Sequence, residues 1–356
     1  MNAQVIVCCG SGGVGKTTTS AALAVRWATE GDRVCVLTID PAKRLADSLG
    51  LADIGGQPTV IPLPNAPGQC DAVMLDVQET FEGLIRTFSA SEASASRILE
   101  NRYFQFASTR LGGVHEYMAA EKVRELATIG HYDTIIVDTP PTRNALDFLE
   151  APERMAELMN GSVMRWLSST SKTGGWKAFE LGGEAITRVL QTLVGDNTIG
   201  DIAQFFDLFR ELWDGFQSRS LEVQAMLRDE TTRFLLVSSP SSAARTEALF
   251  FLDQLRNKSM PFGGFLVNRV EGPVPFEKSL LPTNGPGDWA TVASQIEELH
   301  ATQSDLVAIH ERSIDSLASA GPPNTPIWRI PHQGTPVNSI ASLTALAEFL
   351  PSRNEI

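Results

Sequence analysis

Cysteine is scarce in this chain: four residues in 356, at Cys8, Cys9, Cys35 and Cys70. No two form a Cys-x-x-Cys pair, the usual spacing of a structural zinc site, so no zinc is expected. Cys8, Cys9 and Cys35 fall in apolar runs, where cysteine behaves as a small buried hydrophobe. Nothing suggests a disulfide framework, and a reducing compartment fits. The five histidines, at 115, 131, 300, 310 and 332, are scattered and make neither a metal cluster nor a hydrolase triad. Positive charge is also short. The formal net charge is −13, and an acidic surface repels nucleic-acid phosphates and anionic lipid headgroups, so neither is an expected partner. Long apolar runs are missing too; none approaches the ~20 residues of a membrane-spanning helix. Met1-Asn2-Ala3-Gln4 lacks the basic n-region of a signal peptide. The expectation is a cytoplasmic chain with no direct membrane insertion.

What is present is alternation. Val5-Ile6-Val7-Cys8-Cys9 reads as a buried strand, Lys16 to Thr29 as a helix, and Val34 to Ile39 as a second buried strand. Further strands are predicted at 71–77, 133–138, 233–239, 263–268 and 326–331. These runs are too apolar for a one-sided sheet, which argues for strands covered on both faces. The fold class is therefore α/β, a mostly parallel sheet flanked by helices. Residues 78–130 look mainly helical, and 151–232 form a helical stretch with few strand signals. The domain reading is one α/β core, 1–150 with 233–356, carrying a helical insertion subdomain at 151–232. Residues 271–288, rich in proline and glycine, read as a loop.

The chemistry begins at the first strand-to-helix turn. Gly10-Ser11-Gly12-Gly13-Val14-Gly15-Lys16-Thr17 matches the Walker A pattern, between a buried strand and a helix as that motif requires. Glycines let consecutive backbone N–H groups converge on phosphate oxygens, and the following helix offers its positive end. In this reading Gly12, Gly13, Val14 and Gly15 cradle the phosphates, and Lys16 reaches the β- and γ-phosphates. Thr17 coordinates Mg²⁺, and Thr18 adds a phosphate contact. ATP and Mg²⁺ are the expected cofactors. Asp138 ends an apolar run, Ile135-Ile136-Val137-Asp138, in the form of a Walker B acid that holds Mg²⁺ directly or through water. Asp40 ends the second strand and is the candidate for orienting the attacking water. Each aspartate has a plainer alternative as a polar strand end or a helix cap.

Together these residues resemble the ATPase family that includes the arsenite-pump ATPase and the ATPase guiding tail-anchored membrane proteins. That family belongs to the signal-recognition/MinD class of P-loop NTPases, of the deviant Walker A type. The glycine loop, Asp40-Pro41-Ala42 and Asp138-Thr139-Pro140-Pro141-Thr142 match in order, and the helical insertion lies where the family's does. The resemblance implies that Asp40 is a water-activating switch acid and Asp138 the magnesium acid. It further implies that Asn268, in Val267-Asn268-Arg269, contacts adenine, and that Pro331, in Ile330-Pro331-His332, lines the base. It implies a nucleotide-controlled conformational switch in a dimer.

Three departures qualify the resemblance. The family's signature lysine, which crosses a dimer interface to the partner's phosphates, is replaced by Ser11. A homodimer would lack that cation at both sites and hydrolyse slowly unless Lys43, Arg44 or Arg143 substitutes. A heterodimer with a lysine-bearing paralogue would be asymmetric, and is the favoured expectation. The zinc-binding Cys-x-x-Cys of the tail-anchor relatives is also absent, as is the arsenite-sensing cysteine trio. In the insertion, Met155, Met159, Met164, Trp166, Trp176 and Phe179 supply apolar material, with Phe205, Phe206, Phe209, Leu212, Trp213 and Phe216. The resemblance implies that they form a surface for an apolar protein client or a membrane-protein partner; the plainer reading is the core of the insertion itself or a contact with a partner subunit. The alternative functions are a weakly hydrolysing nucleotide-binding scaffold and a MinD/ParA-like positioning ATPase. The stretch Ser339 to Leu350 has no basic residue, which argues against a membrane-binding version of the latter.

Overall fold

The computed structural model describes residues 3–40, 42, 44–101, 113–160, 199–277, 279 and 288–356. Pro41, Lys43, Met164, Trp166, Trp176 and Phe179 lie outside the described residues. So do the side chains of Arg143, Met159, Phe205, Phe206, Phe209 and Trp213.

The described residues divide into two compact units: Met1–Met74 with Gly130–Thr142 and Glu230–Ile356, and Leu75–Ile129 with Arg143–Asp229. The first holds an eight-stranded sheet. Its strands are β1 (Gln4–Cys9), β2 (Arg33–Thr38), β3 (Thr59–Val60), β4 (Gln69–Met74), β5 (Thr134–Asp138), β6 (Thr232–Ser238), β7 (Phe262–Val270) and β8 (Ile327–Pro331). They lie in the order β3-β4-β2-β5-β1-β6-β7-β8. Every described pairing is parallel except that of the short β3 with β4. The central strands explain the apolar runs: Val5 to Cys9, Val34 to Leu37 and Ile135 to Val137 are buried on both faces.

Helices α1 (Lys16–Glu30) and α2 (Arg44–Leu49) follow β1 and β2. Gly31 ends α1 in a left-handed conformation, φ 117°, with its N–H donating to the Ala28 and Trp27 carbonyls. Trp27 is fully buried and donates its indole N–H to the Pro351 carbonyl at 2.9 Å, which ties α1 to the C-terminal segment. Most strand ends shift by a residue or two, β3 was not expected, and β4 differs from the sequence expectation at both ends. β4 begins early enough to pair Cys70 with Val34, so Cys70 too is a buried strand residue. It ends before 75–77 because the Asp76 side chain accepts the Glu79 N–H at 2.9 Å and starts the next helix.

The second unit contains α3 (Val77–Phe88), α4 (Glu92–Leu99) and α5 (Val114–Thr128). It also holds most of α6 (Thr142–Asn160) and all of α7 (Ile199–Arg228). It is thus wider than the 151–232 stretch marked by its lack of strands. Phe81, Leu84, Ile85, Tyr117, Leu212 and Phe216 form its core, with Met155 packed against them. The Phe216 ring lies 6.1 Å from Phe81, 5.6 Å from Phe88 and 6.3 Å from Tyr117. Those members of the predicted aromatic stripe whose side chains are described are therefore core. Glu121, buried beneath this layer, accepts Arg219 Nη1 at 2.5 Å; burial raises its pKa and Arg219 opposes the rise.

The remaining helices belong to the first unit: α8 (Ser242–Asn257), α9 (Trp289–Ala320) and α10 (Ile340–Ala347). The proline-rich 271–277 segment is irregular, as expected. Among the described residues no helix is long and apolar enough to cross a membrane.

Truncating Phe216 removes a large ring from a filled cluster. Phe216→Ala is expected to cost about 3–5 kcal/mol of stability, read by urea unfolding. A loss within about 1 kcal/mol would show that the cluster does not hold the helical unit together.

Candidate functional site

The parallel register brings the sequence motifs to one edge. Cys8 pairs with Asp138, and Thr38 pairs with Asp138 from the other side. The carboxyl ends of β1, β2 and β5 therefore lie level, at the edge where ligands collect in an open α/β sheet.

The loop after β1 is built on glycine for steric reasons visible at both ends. A methyl group at Gly10 would collide with the Val237 carbonyl of β6. Gly15 caps α1 at φ 96°, and a methyl group there would run into Asn268 Nδ2. Between them, side chains at Gly12 or Gly13 would meet nothing within 4 Å, so the rim of the loop is open. Lys16 Nζ turns back and donates to the Ser11 carbonyl at 2.9 Å. Burial lowers the Lys16 pKa, with Asp138 and Cys9 opposing.

Asp138 is fully buried. Its Oδ2 accepts the Thr38 hydroxyl at 3.1 Å, while Oδ1 has no hydrogen-bond partner in the protein. Burial pushes its pKa up from 3.8 to about 6, against the pull of the Thr17 hydroxyl, the Lys16 ammonium and the Thr38 hydroxyl. The next residue, Thr139, donates its hydroxyl to the Cys8 carbonyl at 2.8 Å and ties the β5 exit to β1. Asp40 is partly buried. Its Oδ1 accepts the Ala42 N–H at 3.0 Å, and its Oδ2 accepts Arg44 Nη1 at 3.0 Å. Of the three cations that could stand in for a lysine at position 11 in a homodimer, Arg44 is thus already paired with Asp40. Ser11 is 8% exposed.

Asn268 sits at the end of β7, with Nδ2 donating to the Val14 carbonyl at 2.8 Å and Oδ1 accepting the Arg269 N–H at 2.9 Å. Pro331 closes β8 opposite Val270. Thr38 and Thr139 were not singled out from the sequence, although each adjoins a named acid or strand end. The bond from Asn268 to Val14 spans 254 positions and leaves no local signal.

These groups suit a magnesium–triphosphate. An open glycine rim at a helix N-terminus accepts phosphate oxygens, and a buried lysine bonded only to a loop carbonyl can turn to them. The unpartnered Asp138 oxygen beside Thr17 is the oxygen donor set that Mg²⁺ takes. No group of three or more His, Cys, Asp or Glu side chains that could hold a metal ion occurs among the described residues.

A family model for the anion-transporting ATPases matches residues 3–272. The chain belongs to the anion-transporting ATPase family. It is an enzyme, an ATPase of that family. It is 25% identical over 354 residues to ATPase ARSA1 of Chlamydomonas reinhardtii, covering 93% of this chain and 41% of that protein. It is 24% identical over 310 residues to an ATPase ASNA1 homolog of Entamoeba dispar, 84% of this chain and 83% of the relative. With ATPase GET3B of Arabidopsis thaliana the identity is 26% over 286 residues, 74% and 63% of the two chains. The chain thus spans about two fifths of the algal relative's length.

Asp138 carries a charge its surroundings disfavour. Because its folded pKa is raised, its contribution to stability is present below the unfolded value near 3.8 and is lost as pH rises through about 6. Asp138→Asn is therefore expected to stabilise the nucleotide-free protein at neutral pH by on the order of 2 kcal/mol. It should also abolish stabilisation by Mg²⁺ with nucleotide. Urea unfolding at pH 4.5 and 7.5 reads both effects; a destabilised variant at pH 7.5 would contradict this account of the site.

Proposed function

We propose that the chain binds ATP with Mg²⁺, hydrolyses it, and uses its nucleotide state to switch a dimer. The observation carrying this reading is the fully buried Asp138, with one oxygen unpartnered, at the strand end beside the Lys16 and Thr17 loop. Backbone N–H groups of Gly12, Gly13, Val14 and Gly15 hold phosphate oxygens, with Thr18 as an additional contact. Lys16 releases the Ser11 carbonyl and turns to the β- and γ-phosphates. Thr17 and Asp138 hold Mg²⁺, directly or through water. Asn268 and Pro331 face the base. When bound, the ion supplies neutralisation of charge on the phosphates. Asp40 orients the attacking water and takes its proton, which requires its carboxylate to loosen from Arg44.

Ser11 favours a second, related reading: a chain that holds nucleotide well and turns over slowly until a lysine-bearing paralogue completes its site. A cation given in trans to phosphoryl transfer is worth about 10³–10⁵ in rate. We take the heterodimer as the working assembly, located in the cytoplasm. The helical unit is the candidate contact for an apolar protein client, through whichever of its apolar side chains lie outside its core.

Asp40→Asn is expected to lower kcat about 10²–10⁴-fold with KM little changed, measured by phosphate release from the assembled complex. An unchanged kcat with a raised KM would remove Asp40 from the chemical step. The pure chain is expected to be slow, and faster either as Ser11→Lys or when mixed with the lysine-bearing relative. Turnover by the pure wild type equal to that of the mixture would overturn the heterodimer.

A further inference from the structure

We propose that the end of β7 is a positioning device for the phosphate loop. A bulge at Arg269 turns the Asn268 amide onto the loop and holds it in its binding shape before any ligand arrives. This deepens the reading of residues 10–18 as a phosphate loop and rests on it. It gives Asn268 a task separate from contact with a base.

Three observations converge. First, the β7–β8 register slips between Val267 and Val270, which marks a bulge. Second, Arg269 inside it has φ 60°, a left-handed conformation that a side chain resists and that persists only where the surroundings enforce it. In the same bulge the Arg269 N–H donates to Asn268 Oδ1 at 2.9 Å, which fixes the amide's orientation. Third, Nδ2 donates to the Val14 carbonyl at 2.8 Å, where a Cβ at position 15 would displace the amide.

The need for this bond follows from the loop itself. A loop that turns successive N–H groups toward an anion turns carbonyls the other way, and those carbonyls need donors. Two have side-chain donors here: Ser11, from Lys16, and Val14, from Asn268. Lys16 leaves its carbonyl when it turns to phosphate. Asn268 does not have to move, and its bond persists through binding. One N–H and one oxygen lone pair of the amide remain for a base.

The test uses the full chain and three variants: Asn268→Ala, Arg269→Val and Arg269→Gly. Valine resists the left-handed conformation and should flatten the bulge, whereas glycine keeps it; both remove the guanidinium. Hydrogen exchange of the Gly12–Gly15 amides is read in the nucleotide-free protein. Affinities for magnesium tripolyphosphate, which has no base, and for ATP are read by competition against a fluorescent nucleotide. Asn268→Ala and Arg269→Val are expected to speed loop exchange and to weaken tripolyphosphate and ATP about three- to tenfold. Arg269→Gly is expected to match the wild type. Loss of ATP affinity alone in Asn268→Ala, with loop exchange unchanged, would make Asn268 a base contact and overturn the proposal. Equal damage from Arg269→Gly and Arg269→Val would assign the effect to the guanidinium and overturn the bulge. A wild type that binds neither ligand would fail the ATP reading, while the exchange comparison would still decide the positioning device.

Discussion

The level register of β2, β5 and β1 is the constraint on which the site depends. β5 lies between the other two and pairs Asp138 with Thr38 on one side and with Cys8 on the other. Because the strands run parallel, all three leave the sheet at the same edge. A loop after residue 9, an acid at 40 and an acid at 138 meet there although the chain separates them widely. An antiparallel central strand would send one of them to the opposite edge.

That register has an electrostatic consequence. Lys16 and Asp138 both lie in a dry part of the sheet edge, and burial works against the charged form of each. Neither is fully satisfied by the protein: the lysine leans on a carbonyl, and the aspartate has a bare oxygen. A ligand carrying phosphate charge and a divalent cation would complete both at once. Ordinary cores avoid such half-paired groups, so their joint presence at a strand edge points to binding. Cys8, beside them, behaves as packing: burial pushes its thiol up to about 12, and it stays neutral.

The two units divide the work of stability differently. The α/β unit depends on doubly covered strands and on α1, which is anchored by Trp27 to the Pro351 carbonyl. Among the described residues the helical unit is held by the aromatic cluster around Phe216, with a largely buried Glu121–Arg219 pair. A buried ion pair adds little net stability but penalises arrangements that separate its members. It therefore helps define how α5 packs on α7.

The amino-acid sequence by itself marked every strand but the short β3, together with the glycine loop, Lys16 and the two aspartates, because each leaves a local mark. A doubly buried strand is an uninterrupted apolar run, and a phosphate loop is a dense set of glycines before Lys-Thr. The absence of lysine at position 11 was equally legible. Tertiary structure alone decided how those marks combine. It set the dry environment that raises Asp138, the pairing of Arg44 with Asp40, and the Asn268 bond to Val14. It also drew Cys70 into β4 and made Leu212 and Phe216 core. The physical reason is range. Periodicity and glycine content act over a few residues, whereas desolvation and hydrogen bonds between distant segments exist only once the sheet has aligned its edges.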